Sequence, residues 1–440
     1  MNSCAKLYAI IVFSCLLMSV CSITQATDKG ISGTPAWIGE ANSGGAYYGV
    51  SSATAGDING DGYADLVVGA YLFDNGSGSV GRVYVYHGSA AGLSAAPDWW
   101  ATGGQVDSMT GISVACAGDV NGDGFADIIV GAPGFDNPEP DEGIVVAYYG
   151  SAAGLGAPER APDWFVQSDT PGGFMGLSVS TAGDVNGDGV HDVIVGAPYY
   201  TNGEAEEGAA YIYLGAVGTG LSTTPAWTQE GNQEEAYFGQ SVATAGDVNR
   251  DGYNDVIVGV PGYDETVPGS DHGMARVYLG SGSGVSTTPV WTGIGEADGD
   301  EFGFSVSSAG SVRGNGICDI VVGAPGYTVA HANEGAFYLF QGHLAQGVEA
   351  AYHVKVELDI TQETLGRSVA PAGDVNGDGF ADVIVGAPAA NNISSMPGRF
   401  LVYLGQSDGM FREEPLTGDP AYNQANAELG SLLPPQGMSM

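Results

Sequence analysis

Positive charge is what this sequence has least of: eleven Lys and Arg stand against 51 Asp and Glu, a formal net charge of −40. A field of that sign repels phosphate backbones and anionic headgroups, which excludes nucleic-acid binding and electrostatic docking on acidic membranes. It favours solubility, cations or basic partners, with a saline habitat as the bland alternative. Cysteine is also scarce. Cys4, Cys15 and Cys21 lie in the first 26 residues, and the remaining Cys116 and Cys318 are too far apart around a ring to pair, so no disulfide framework is expected. The six His (87, 191, 272, 331, 343, 353) show no His-Glu-x-x-His or other ligand spacing, and there is no nucleophile elbow. Long apolar runs are missing after the N-terminus, so no transmembrane segment is expected in the mature chain. The one such run, Leu7 to Val20, follows a single Lys and precedes Thr24-Gln-Ala26. Residues 1–26 therefore read as a secretory signal peptide, a lipid anchor on Cys21 being the alternative. The expected location is secreted, extracellular or cell-surface, or the periplasm in a bacterial host.

What is abundant is one repeated phrase. Asp57-Ile-Asn59-Gly-Asp61-Gly-Tyr63-Ala-Asp65 recurs from Asp119, Asp184, Asp247 and Asp374, with a degenerate copy from Ser311 to Asp319. Successive first positions step by 62, 65, 63, 64 and 63 residues, the mark of a structural array. Oxygen side chains at positions one, three, five and nine, with a main-chain carbonyl at seven, suit the six to eight oxygens that a hard Ca2+ prefers. The predicted ligands are Asp57, Asn59, Asp61, Tyr63 (carbonyl) and Asp65; Asp119, Asn121, Asp123, Phe125 (carbonyl) and Asp127; Asp184, Asn186, Asp188, Val190 (carbonyl) and Asp192; Asp247, Asn249, Asp251, Tyr253 (carbonyl) and Asp255; and Asp374, Asn376, Asp378, Phe380 (carbonyl) and Asp382. Five structural Ca2+ sites follow. In the degenerate copy Ser311 and Arg313 replace ligands, so that site is expected to be defective, with Arg313 paired to Asp319 in place of the metal. An EF-hand is excluded because position twelve, where that loop needs Glu, is Val68, Val130, Val195, Val258 or Val385.

Those valines sit in β-branched runs ended by glycine, which read as buried strands, so each loop joins two strands. Upstream lies an alternating segment such as Phe238–Gly246, the first strand. About 24 residues after each first Asp a third strand opens, as in Gly81-Arg-Val-Tyr-Val-Tyr86, and a fourth follows at Pro35-Ala-Trp37, Pro97-Asp-Trp99, Pro162-Asp-Trp164, Pro225-Ala-Trp227 and Pro289-Val-Trp291. Four strands per repeat of roughly 63 residues make a propeller blade. The fold class is all-β, a β-propeller of four-stranded blades. One Trp per blade at a constant place reads as packing between blades rather than as sugar stacking.

Tyr48-Gly49, Phe238-Gly239 and Phe302-Gly303 at the head of the first strand, Gly-Ala-Pro at the end of the second and the calcium loop between them resemble the FG-GAP repeats of the integrin alpha-subunit N-terminal β-propeller. The resemblance implies seven blades and a role in adhesion or ligand binding. Six repeats are complete here, beginning near residues 46, 108, 173, 236, 300 and 363, with a partial one from 427; the propeller is expected over 27–432 and a short tail over 433–440. Two arrangements fit: six closed blades, with Pro35 to Ile38 completing the sixth, or a seven-bladed ring with an open wedge.

Because neighbouring strands run antiparallel, the calcium loops share one face and the irregular loops 136–142, 202–207, 230–235, 264–271 and 298–301 share the other. Variable loops on a rigid scaffold are where recognition usually lives, so a protein or glycan ligand is expected on the face opposite the calcium loops, against the alternative that these loops are merely solvated. The preferred function is a secreted, calcium-binding adhesion or ligand-binding module without catalysis. Its rival is a secreted hydrolase, phospholipase-like or glycan-active, or the accessory propeller of one. Asn75-Gly-Ser77 and Asn392-Ile-Ser394 fit the glycosylation acceptor pattern.

Overall fold

A computed structural model describes residues 36–40, 43–265, 267, 269–329, 332–358, 363–388 and 398–411, and the backbone of 416–417. The signal peptide, the seventh first strand from 427, the tail, His331 and Asn392 lie outside the described residues. Within them every regular element is a strand.

The strands form six four-stranded antiparallel sheets, each taken in chain order. Blade two is representative: Ser113–Gly118, Asp127–Ala132, Ile144–Tyr148 and Trp164–Gln167. Its second strand is buried at every position, which is why the run Asp-Ile-Ile-Val-Gly-Ala carries no solvent-facing alternation. Both faces of the sheet are covered by neighbouring blades. Blade five carries an additional two-stranded hairpin, Gly342–His343 with Gly347–Val348.

The blade-to-blade joints explain the sequence signature. A Cβ on Gly131 would stand 1.8 Å from the carbonyl oxygen of Gly176 in the next blade, so only glycine permits this approach. The Ser113 hydroxyl donates to that same carbonyl at 2.7 Å, and Ser51, Ser178 and Ser305 repeat the bond toward Gly111, Gly239 and Gly366. The fourth-strand tryptophans complete the joint. Trp99 meets Tyr148 of the following blade edge to face at 4.7 Å, and its indole N–H donates to the Ala157 carbonyl. Trp164, Trp227 and Trp291 do the same against Tyr213, Tyr278 and Phe340. Each is at least 95% buried, and truncating such an aromatic to Ala costs about 3–5 kcal/mol.

Two expectations change on contact with the structure. The first strand of blade four runs only from Ser241 to Gly246; Phe238 instead bridges across to Gly208 of blade three, because Tyr237 and Gly239 take positive φ and turn the chain between blades. Closure of blade six by Pro35 to Ile38 is also overturned, since its fourth strand is Leu416–Thr417, paired with Val402 and Leu401. Trp37 lies instead against Tyr86 of blade one at 4.8 Å and donates to the Ser94 carbonyl at 2.9 Å. That is how every fourth-strand tryptophan meets the blade after it. Among the described residues the inner strands pack consecutively from blade one to blade six, and no packing of that extent joins blade six to blade one. The propeller has, among the described residues, six blades and part of a seventh, with Trp37 packed where the tryptophan of a preceding blade would sit.

Candidate metal loops and the opposite face

Each loop is built by side chains that fold back on their own backbone. In blade two the Asp119 carboxylate accepts N–H groups of Gly122 (2.7 Å), Asp123 (3.1 Å) and Gly124 (2.8 Å). Asn121 Oδ1 accepts from Asp123 N–H, and Asp123 Oδ1 from Phe125 N–H. Positions one, three and five therefore converge on one concave turn, and blades one, three, four and six repeat it.

Position nine is placed differently. Asp127 is fully buried; one carboxylate oxygen accepts from Val120 N–H and the other from Gly150 N–H, both at 2.8 Å, which ties the loop to the turn after the third strand. Asp65, Asp192, Asp255 and Asp382 make the same two bonds, and so does Asp319 of the degenerate repeat. Burial pushes Asp127, Asp192 and Asp255 up to about 7, with the backbone N–H groups pulling down and the nearby loop carboxylates adding to the rise. Such a carboxylate ionises readily once a cation stands beside it. Among the described residues no three His, Cys, Asp or Glu side chains converge closely enough to hold an ion as they stand. The donors are nonetheless all oxygen, which suits Ca2+ rather than a softer ion.

Blade five shows the cradle with a built-in cation. Arg313 donates to Asp319 Oδ1 at 3.1 Å, to the Gly342 carbonyl at 3.0 Å and to Gln341 Oε1 at 2.8 Å. The expected pairing of Arg313 with Asp319 is present, and the guanidinium is four-fifths buried.

Sequence reasoning missed how the loops hold one another. The N–H at position eight donates to the position-one carbonyl of the preceding blade: Ala126 to Asp57, His191 to Asp119, Asn254 to Asp184, Cys318 to Asp247 and Ala381 to Ser311. His191 Nδ1 also accepts from Asp119 N–H at 3.3 Å, so this side chain caps the loop of the preceding blade. The structural role of position nine had one visible signal, the survival of Asp319 where the other ligands are gone.

The opposite face carries aromatic rings where the first strand begins. Tyr47 meets Tyr71 at 5.5 Å, and Phe174, Tyr199 and Tyr237 form a chain with 5.4 Å steps. Tyr47, Phe174 and Tyr237 hold φ between 50° and 56°, as do Met109, Glu301 and Thr364 at 57°, 54° and 52° in the other blades. The turn is thus architectural and only the projected side chain varies. Charge accumulates beside it: burial and then Asp136 and Asp107 raise Asp141, while burial and then Asp264 and Glu235 raise Asp271. Ser270, His272 and Asp298 stand in line on this face, Ser270 Oγ 2.9 Å from His272 Nδ1 and His272 Nε2 3.3 Å from Asp298. Ser270 is 7% exposed, and its hydroxyl and N–H both bond Asp264, whose carboxylate gathers three loop N–H groups. This is a clamp on the 264–271 loop, with the hydroxyl turned inward.

The FG-GAP repeat family model matches residues 49–86, 111–148, 175–213, 238–278 and 365–404, the five repeats with intact loops. Over 233 residues the chain is 34% identical to integrin alpha-IIb of Mus musculus, covering 50% of this chain and 20% of that protein. It is 36% identical over 231 residues to integrin alpha pat-2 of Caenorhabditis elegans, covering 49% and 18%, and 34% identical over 225 residues to integrin alpha-V of Gallus gallus, covering 49% and 20%. The match thus spans about a fifth of the length of these relatives. With this repeat signature and this blade architecture, the chain is a β-propeller that carries five FG-GAP repeats and is similar to integrin alpha subunits over about half its length.

Proposed function

We propose that residues 27–432 form a secreted, integrin-alpha-like binding module in which five Ca2+ ions lock the loops of blades one to four and six, and a protein or glycan ligand docks on the opposite face. The observation that carries this reading is the division of labour between the faces. On one, every loop is bonded to its own backbone and to the next loop. On the other, the same turn projects tyrosine, methionine, phenylalanine, glutamate or threonine according to the blade. The similarity to integrin alpha chains supports adhesion as the use of that face.

The residues intended for the metal would hold it through Asp119, Asn121 and Asp123 and the Phe125 carbonyl, with Asp127 beneath, and likewise in the other four loops. The ion supplies charge neutralisation and rigidity, with no part in chemistry. Cα positions of the ligand face are then fixed before binding, which lowers its entropic cost. Excess negative charge there favours a ligand that presents basic groups.

An array of matrix proteins and glycans probed with the calcium-loaded chain tests this reading. Tyr47→Ala and Tyr237→Ala should weaken capture, and binding should fall as salt screens the acidic loops. Equal capture by the double variant sinks the assignment of the face. Turnover of ester or glycoside substrates, abolished by Ser270→Ala, would restore the hydrolase reading.

A further inference from the structure

Four of the five intact loops place asparagine directly before glycine, as Asn59-Gly60, Asn121-Gly122, Asn186-Gly187 and Asn376-Gly377; the fourth loop breaks the pattern with Asn249-Arg250. Asn-Gly is the pair in which a backbone nitrogen reaches the preceding side-chain carbonyl with least obstruction, because glycine has no Cβ. The fold adds two features. Gly122 N–H donates to Asp119 Oδ1 at 2.7 Å, Gly187 N–H to Asp184 Oδ1 at 2.6 Å and Gly377 N–H to Asp374 Oδ1 at 2.7 Å, so a carboxylate stands ready to accept the proton of the attacking nitrogen. Asn121, Asn186 and Asn376 each accept, through Oδ1, the N–H of the residue two further on, at 2.9, 2.9 and 3.0 Å, where negative charge develops when the amide carbon is attacked. All three glycines are solvent-exposed, so water is at hand.

We propose that Asn121, Asn186 and Asn376 are deamidation sites of the metal-free loops, and that calcium protects them. The inference rests on the calcium reading above. The backbone nitrogen of Gly122 forms a bond to Asn121 Cγ, the Cγ–Nδ2 bond breaks, and Nδ2 leaves as ammonia carrying the proton released by the backbone nitrogen. Water then opens the cyclic imide at either carbonyl, leaving aspartate or isoaspartate at position 121; no oxidation or reduction is involved. A cation in the loop engages the same Asp119 and Asn121 oxygens, so the proton acceptor is occupied and the side-chain amide is held away from the nitrogen. Isoaspartate inserts a methylene into the backbone and spoils the turn, so metal loss becomes irreversible with time.

The chain contains its own controls. Asn75-Gly76 has the same local geometry, Gly76 N–H donating to Asp74 Oδ1 at 2.7 Å and Ser77 N–H to Asn75 Oδ1 at 3.0 Å, yet lies outside any calcium loop. Asn249 shares the calcium loop but precedes Arg250, whose Cβ obstructs the attack.

The test incubates the full chain with calcium or with chelator at physiological temperature and pH, and reads deamidation and isoaspartate at each site by peptide mass spectrometry, with calcium binding measured on the starting material by calorimetry. The expected result is modification of Asn121, Asn186 and Asn376 in chelator, slowed roughly tenfold or more by calcium, which is about 1.4 kcal/mol of barrier. Asn75 reacts equally in both samples and Asn249 in neither. Arg250→Gly, which restores the residue of the other loops, should make Asn249 reactive in chelator. Equal rates at Asn121 with and without calcium, in protein that calorimetry shows to be loaded, overturn the inference and leave the calcium reading standing. Equal rates in protein that binds no calcium overturn both. Reaction at Asn121 no faster than at Asn249 also overturns it.

Discussion

On the calcium reading proposed above, blade two and blade five solve the same electrostatic problem with different cations. Both bury a position-nine carboxylate under the loop and tie it to the turn after the third strand, Asp127 to Gly150 and Asp319 to Gly342. In blade two the proposed ion, held by Asp119, Asn121 and Asp123, would meet that charge from outside. Blade five meets it from within, through Arg313, whose guanidinium reaches the carboxylate, a carbonyl and Gln341 at once. The comparison teaches that the buried aspartate belongs to the propeller joint, while on the calcium reading the remaining acids serve the ion. A repeat can lose the second set and keep the first.

Breaking the comparison wholesale should have the largest effect. Chelation removes about 2.7 kcal/mol per site at a hundredfold excess of calcium over its dissociation constant, summed over several loops. The melting temperature should therefore fall steeply, and hydrogen exchange should accelerate in the loops of blades one to four and six while residues 311–319 keep their protection. Next comes Arg313→Ala, which strands Asp319 without a counter-charge and should cost about 3 kcal/mol in thermal or denaturant melts, equally with and without calcium. Asp123→Ala removes one site and should cost about 2.7 kcal/mol in saturating calcium, but close to nothing in chelator. The smallest change in stability is expected from Ser311→Asp combined with Arg313→Asn and Asn315→Asp. This variant exchanges one cation for another, and its readout is one additional calcium per chain in a titration.

Much of the architecture is legible in the sequence because the repeat writes it six times. The β-branched run after each loop, the tryptophan after Pro-Ala or Pro-Asp and the glycine at a fixed interval each answer to one local constraint, whether burial on both faces, an edge strand or a close backbone approach. Less legible is whatever crosses from one blade to the next. Phe238 reads as the head of its own strand by alternation, yet it bridges to blade three, because the positive φ of Tyr237 and Gly239 has no signature in a hydrophobic pattern. His191 likewise has no ligand spacing in the sequence, while its ring serves the loop of blade two. The dual duty of position nine is hidden for a different reason. A carboxylate that caps two N–H groups and one that ligates an ion look alike in a sequence, and only the degenerate repeat separates them.

The measurement that bears most directly on the account is the metal content of the purified chain, counted per molecule by elemental analysis and followed by a melt of the same sample before and after chelation. The account predicts about five calcium ions per chain, one for each loop that keeps Asp, Asn, Asp and Asp, and a large loss of melting temperature when they are stripped. A chain that carries no tightly held calcium and melts at the same temperature in chelator would contradict it.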